Sequence, residues 1–148
     1  MARVLITGSS DGLGLMAGQL LAVAGHDVIL HARNKTRAKD AWAALPSARE
    51  VVIGDLASID GMRQVAEQAN SLGSYDAVIH NAAVGPREPR RIETVEGYSH
   101  VFAINVLAPY LLTALITAPA RLIYLTSDMH LRGEARLDDL QWPRNRPC

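Results

Sequence analysis

The sequence holds a single cysteine, Cys148, and no excess of either charge: fifteen Lys and Arg stand against fifteen Asp and Glu in 148 residues. A lone thiol forms no internal disulfide, which fits a reducing compartment. Zero net charge without a basic block argues against nucleic acid or an anionic membrane as the main partner. No charged n-region or cleavage site precedes the first apolar run, so no signal peptide is expected and a cytoplasmic location is. No Cys/His spacing suits a metal, and none is expected. The longest apolar stretch, 101–120, is interrupted by Asn105, Pro109 and Tyr110. It reads as a buried helix and not as a membrane span. Neither a solenoid repeat nor a low-complexity segment is present.

What is present is 49% hydrophobic residues, enough for the core of one domain. Five apolar runs of strand character are "RVLIT" (3–7), "DVILHA" (27–32), "EVVIGDL" (50–56), "YDAVIHNAA" (75–83, with its exit loop) and "ARLIYLTS" (120–127). Helix-period runs separate them. The first is expected to turn Leu13, Met16, Ala17, Leu20, Leu21 and Ala24 inward and to close at Gly25. The second is capped by Asn34 or Thr36, buries Ala38, Ala41, Trp42 and Leu45, and ends at Pro46. Ser58 caps the third, with Ile59, Met62, Val65, Ala66, Ala69 and Leu72 inward. A polar loop, 85–91, leads to a long helix over about 94–117. Strand–helix alternation predicts an α/β fold: a doubly wound, Rossmann-type parallel sheet of about five strands with helices on both faces. It occupies 1–133, and 134–148 is expected to be an irregular polar tail. A ligand then belongs at the carboxyl ends of the strands, where their order reverses.

"TGSSDGLG" (7–14) lies at such an end, between strand and helix. Gly8 gives the tight turn, Gly12 close approach of backbone to a pyrophosphate, and Gly14 close helix–strand packing. The helix that follows offers free N–H groups and the positive end of its dipole. Thr7, Gly8, Ser9, Ser10, Gly12, Leu13 and Gly14 are the expected nucleotide cradle, with Ser9 or Ser10 donating hydroxyl bonds. After the second strand comes "HARNKTR" (31–37), with no carboxylate before Asp40. Arg33, supported by Lys35 or Arg37, suits a ribose 2′-phosphate. The expected cofactor is therefore NADP, with NAD second, although Asp11 works against an anion there.

These motifs resemble the short-chain dehydrogenase/reductase family over nearly the whole chain, from Ala2 to about Gly133. The TGxxxGxG spacing resembles the family's main dehydrogenase branch. Asp55 and Leu56 in "GDL" are similar to the adenine-contacting segment; Asp55 alternatively only caps its own loop. "HNAAVG" (80–85) resembles the family's NNAG, departing at His80 and Ala83, and implies cofactor-side roles for Asn81, Ala82 and Ala83. "GYSHVFAINVLAPYLLT" (97–113) resembles the long interface helix, which implies a homo-oligomer through 94–117 and a catalytic role for Asn105. "RLIYLTSDMH" (121–130) places Ser127 at the catalytic serine. "SxxH" followed by "LDDLQW" is similar to the retinol dehydrogenases and light-dependent protochlorophyllide reductases. His130, His26 and His31 read as ordinary loop or strand-flanking residues.

The resemblance implies hydride transfer between a nicotinamide and a small alcohol or carbonyl substrate, with a tyrosine and a lysine four residues later moving the proton. Tyr75, Tyr98, Tyr110 and Tyr124 are followed at that spacing by Ile79, Phe102, Ala114 and Asp128. The chain has no such pair, and the expectation is an amino-terminal portion of an oxidoreductase. The alternative is a non-catalytic NADP(H)-binding module or redox sensor. A third possibility is an interaction protein using a bare fifth-strand edge, which would also drive self-association.

Overall fold

The computed structural model describes residues 1–85 and 90–132. Part of the expected 85–91 loop and the whole expected tail, 134–148, lie outside them. The order is β1 (Arg3–Ile6), α1 (Gly12–Val23), β2 (Asp27–Ala32), α2 (Lys35–Ala44), β3 (Glu50–Ile53), α3 (Ile59–Ser71) and β4 (Ala77–His80). Then come α4 (His100–Phe102), a π-helical segment (Ala103–Leu107), α5 (Ala108–Leu115), β5 (Arg121–Tyr124) and a 3-10 turn (Asp128–Arg132). Every strand pair is parallel, in the order β3-β2-β1-β4-β5. This is the doubly wound sheet that the alternation predicts. Strand order reverses between β1 and β4, so a crevice opens beyond their carboxyl ends.

Alternation along β1 sends Leu5 to one face and Val4 and Ile6 to the other. Leu5 meets Ile29, Val52 and Val78 beneath Met62 and Val65 of α3 and Leu112 of α5. Val4 and Ile6 meet Val28 and Leu30 beneath Ala38 and Ala41 of α2. Each large side chain so buried contributes about 1.5–3 kcal/mol, and the two layers fix where β1 and β4 end.

Three expectations need correction. In α1 the face is rotated: Leu13, Met16, Leu20 and Ala24 point to solvent, while Gly14 and Gly18 are buried. Leu15, Ala17, Leu21 and Ala22 pack on the core. The glycines let the helix axis approach the sheet: a Cβ on Gly18 would come within 3.0 Å of Leu30 Cδ2. Apolar periodicity cannot see a face that is buried because it lacks side chains. In α2, Trp42 is exposed although Ala38, Ala41 and Leu45 are buried. The long helix is shorter than 94–117, starting at His100 and ending at Leu115. Gly97 adopts φ 83° in a turn closed by Thr94 N–H on Tyr98 O (2.8 Å), and Ser99 then caps Phe102 N–H (3.2 Å). At the far end Asn70 binds Leu115 O (2.9 Å) and Thr117 N–H (2.8 Å), which holds the chain out of the helix.

Candidate functional site

The glycine loop is held in shape by side-chain hydrogen bonds from neighbouring strand ends. Asn81 Nδ2 donates to Thr7 O and Gly8 O, each at 3.0 Å. Thr7 Oγ1 accepts the N–H groups of Asn81 (3.0 Å) and Ala82 (3.1 Å). Gly8 N–H donates to His31 Nδ1 (2.9 Å), so His31 Nε2 carries the proton and donates to Gly54 O (2.9 Å). One imidazole thus ties the ends of β1, β2 and β3. Gly8 has φ 62°, and a Cβ there would meet Ala82 Cα at 2.7 Å. A Cβ on Gly14 would meet Asn81 Nδ2 at 2.5 Å and Gly8 O at 2.7 Å.

Ser9 corrects another expectation. It is wholly buried; its hydroxyl donates to Ile6 O (2.7 Å) and accepts His31 N–H (2.8 Å). It is a strut beneath the loop and has no hydroxyl bond left to donate to phosphate. Thr7, 2% exposed, likewise works as a strut.

Above these supports lies a cleft of about 670 Å³. Gly8, Ser10, Gly12, Leu13 and Gly14 form one wall; Arg33, Asp55, Leu56, Asn81, Ala82 and Ala83 form others. No side chain caps the N-terminus of α1, so its first N–H groups stay available to an anion. Arg33 is exposed and, among the described residues, enters no ion pair. Arg37, by contrast, contacts Asp11 and Asp40. Asp55 Oδ1 accepts Ala57 N–H (2.9 Å), so the loop cap is real, while the residue also lines the cleft.

A second cleft, about 760 Å³, shares Leu13, Leu56, Asn81, Ala82, Ala83 and Ile104 with the first. Asn105 and Ser127 both line it. The Asn105 amide clamps the loop after β4: Val84 N–H donates to its Oδ1 and its Nδ2 donates to Val84 O, each at 2.9 Å. Asn105 lies in the π-helical segment, a rare geometry that re-aims side chains and recurs at functional sites. The residue is exposed. Ser127 Oγ accepts Met129 N–H (3.3 Å) and faces Asp128 Oδ1 (3.3 Å). His130 contacts the Ser127 carbonyl.

His80 carries a further network. Its ring is 6% exposed, stacks on Tyr124 at 4.9 Å, and places Nε2 3.2 Å from Thr113 Oγ1. Thr113 Oγ1 lies 2.6 Å from the Tyr124 hydroxyl. Among the described residues, Nδ1 is buried without a partner. A bare lone pair is the cheaper orphan there, so the proton belongs on Nε2. Burial lowers the His80 pKa to about 4, and the ring is neutral.

Sequence reasoning took His31 for a strand-flanking residue and missed its role. The available signal was a polar residue within "DVILHA", a run otherwise buried on both faces. The Asp11–Arg37 contact joins residues 26 apart in sequence and left no local trace.

Residues 2–121 match the short chain dehydrogenase family. An uncharacterized oxidoreductase of Emericella nidulans is 48% identical over 142 residues, covering 95% of this chain and 56% of that protein. Retinol dehydrogenase 13 of Mus musculus is 33% identical over 152 residues, covering 94% of this chain and 45% of its own. The crystal structure of a blue fluorescent protein from a metagenomic library in complex with NADPH superposes with a TM-score of 0.72 at 26% identity. The match covers 88% of this chain and 57% of that one. This chain spans about half the length of the relatives it matches. Among the described residues, no helix is long and apolar enough to cross a membrane.

Proposed function

The chain belongs to the short-chain dehydrogenase family of oxidoreductases, and from that premise we propose that its first cleft holds NADP in preference to NAD. The observation that carries the dinucleotide site is the tightly packed glycine loop, where a single carbon added at Gly8 or Gly14 would run into Ala82 or Asn81. The preference for NADP rests on Arg33 in the same cleft. The uncapped α1 N-terminus suits the pyrophosphate, Asp55 and Leu56 suit the adenosine end, and Arg33, free of ion pairs among the described residues, suits a 2′-phosphate. A bound nicotinamide would supply hydride exchange with an alcohol or carbonyl carbon. This chain's residues bind and orient around it. Ser127 offers a hydroxyl to a small substrate's oxygen, and Asn105 keeps the loop at Val84 in place beside it. The test is titration with NADPH and NADH, read by nicotinamide fluorescence and calorimetry. The expected result is binding of both, NADPH the tighter. A folded sample that binds neither overturns the reading.

A second reading is a non-catalytic NADP(H)-binding module, favoured by the absence of a tyrosine with lysine four residues on in the 148 residues. Cofactor binding without NADPH oxidation by a panel of carbonyl compounds supports it.

We propose also that this chain associates with itself. Among the described residues β5 has a neighbour on one side only, β4. Leu122, Tyr124 and Leu125 on or beside it are exposed, as are Val106, Tyr110 and Leu115 on the 100–115 helix. Such a strand templates pairing, and such a patch seeks cover. Light scattering is expected to show dimers or larger species that Leu122→Lys reduces; a monomer at every concentration would exclude this.

A further inference from the structure

We infer that Asp11 restrains the discrimination between NADP and NAD in the first cleft, by occupying Arg37, a second guanidinium within the cleft that would otherwise serve a 2′-phosphate. The inference rests on the reading of that cleft as a dinucleotide site. Two guanidinium groups line it, Arg33 and Arg37, and they are not equivalent. Arg33 has no ion pair among the described residues, whereas Arg37 is held from both sides. Its Nη2 contacts Asp11 and its Nη1 lies 3.2 Å from Asp40. Asp11 reaches across from the glycine loop to α2 to make this contact.

Asp11 occupies the N-cap position of α1 in extended backbone (φ −160°), yet its side chain caps nothing. An aspartate there normally satisfies a first-turn N–H. Here the carboxylate lies on the rim of the cleft, 73% exposed, and points to Arg37 instead. Two effects follow. A 2′-phosphate that engages Arg37 must displace a carboxylate already in place. The same carboxylate repels the phosphate dianion across the rim. A ribose with a free 2′-hydroxyl meets neither obstacle. Among the described residues, Arg33 is then the guanidinium left to supply the preference for the phosphorylated cofactor. Arg37 is a latent second anchor, and Asp11 is its occupant. Asp40 does not share this role, because it tethers Arg37 from within α2 and does not line the cleft.

The experiment measures Kd for NADPH and NADH with wild type, Asp11→Asn and Asp40→Asn at low and moderate salt, with thermal unfolding of each. Asparagine is a good N-cap, so Asp11→Asn is expected to melt no lower than wild type. The ratio of Kd for NADH to Kd for NADPH should rise about fivefold in Asp11→Asn, the size of one screened charge contact. The gain should come from tighter NADPH, shrink with salt, and be much smaller in Asp40→Asn. An unchanged ratio in a folded Asp11→Asn protein that binds both nucleotides overturns the inference while leaving the proposed function intact. An equal gain for NADH and NADPH overturns it too, because the effect would then belong to the pyrophosphate. Wild type that binds neither nucleotide removes the proposed function and this inference with it.

Discussion

Gly14→Ala is expected to abolish dinucleotide binding and to lower stability by about 2–4 kcal/mol, although alanine is the better helix former by about 1 kcal/mol. The added methyl has nowhere to go. It would lie 2.5 Å from Asn81 Nδ2, 2.7 Å from Gly8 O and 3.0 Å from Ser9 Cα. Two of these are backbone atoms, and the third belongs to an amide held by two hydrogen bonds to Thr7 O and Gly8 O. Relief requires α1 to lift off the loop or Asn81 to give up both carbonyls. The first route removes the helix N-terminus from the pyrophosphate position. The second leaves two part-buried acceptors without their amide donor, at up to about 1–3 kcal/mol where water cannot replace it. Gly18→Ala provides the contrast, since its nearest neighbour is a side-chain methyl, Leu30 Cδ2 at 3.0 Å, which must give by only a few tenths of an ångström, and no loop backbone atom is close. It is expected to leave binding intact and to change stability little. Urea unfolding and NADPH titration of both variants check this. A Gly14→Ala protein that binds NADPH as wild type does would show that the cradle is not the site.

The second large effect is a loss of stability between about pH 6.5 and pH 4, caused by two buried neutral imidazoles. Burial lowers the pKa of His31 from the usual 6.5, partly offset by its bond to Gly54 O and by nearby Asp55. Burial also lowers His80, to about 4. In the unfolded chain both take up a proton near pH 6.5, while in the fold both do so at lower pH, His80 only near 4. The unfolded state therefore binds more protons throughout that window, and stability falls with falling pH. Each such proton steepens the dependence by up to roughly 1.4 kcal/mol per pH unit. Stability from this source is complete above pH 6.5. Glu96 acts lower down. It accepts Ile59 N–H at 2.7 Å, and that bond holds its carboxyl below the ordinary value of 4.5. Its contribution is present above pH 4.5 and is lost beneath it. Urea midpoints at pH 7.5, 6.0 and 5.0 are expected to fall in sequence, and His80→Phe, which keeps a ring against Tyr124, should flatten part of the slope. A midpoint constant from pH 7.5 to 5.0 would contradict the neutral, buried state of both rings.

Much of the candidate site's outline was legible because it is local. The loop from Thr7 to Gly14 announces itself by glycine spacing between an apolar strand and a helix, and every residue of the cradle comes from that segment or from a strand end. Asn105 stood out as a polar residue in an apolar helix on the expectation of burial; in the structure it is exposed, and its amide makes two hydrogen bonds to Val84. Ser9 was misread because a serine in a phosphate loop and a serine bonded beneath it look alike until the position of Ile6 O is known.

The sequence by itself determined the parallel sheet, the strand order's reversal and the location of the crevice. Those follow from periodicity, from right-handed crossovers and from turn chemistry, each acting over a few neighbouring residues. Tertiary structure alone decided which way α1 faces, because its buried face is made of absent side chains. It alone brought His31 under Gly8, set His80 against Thr113 and Tyr124, and put Asp11 on Arg37. Such contacts depend on the packing distance between separate elements, and no short stretch of sequence encodes that distance.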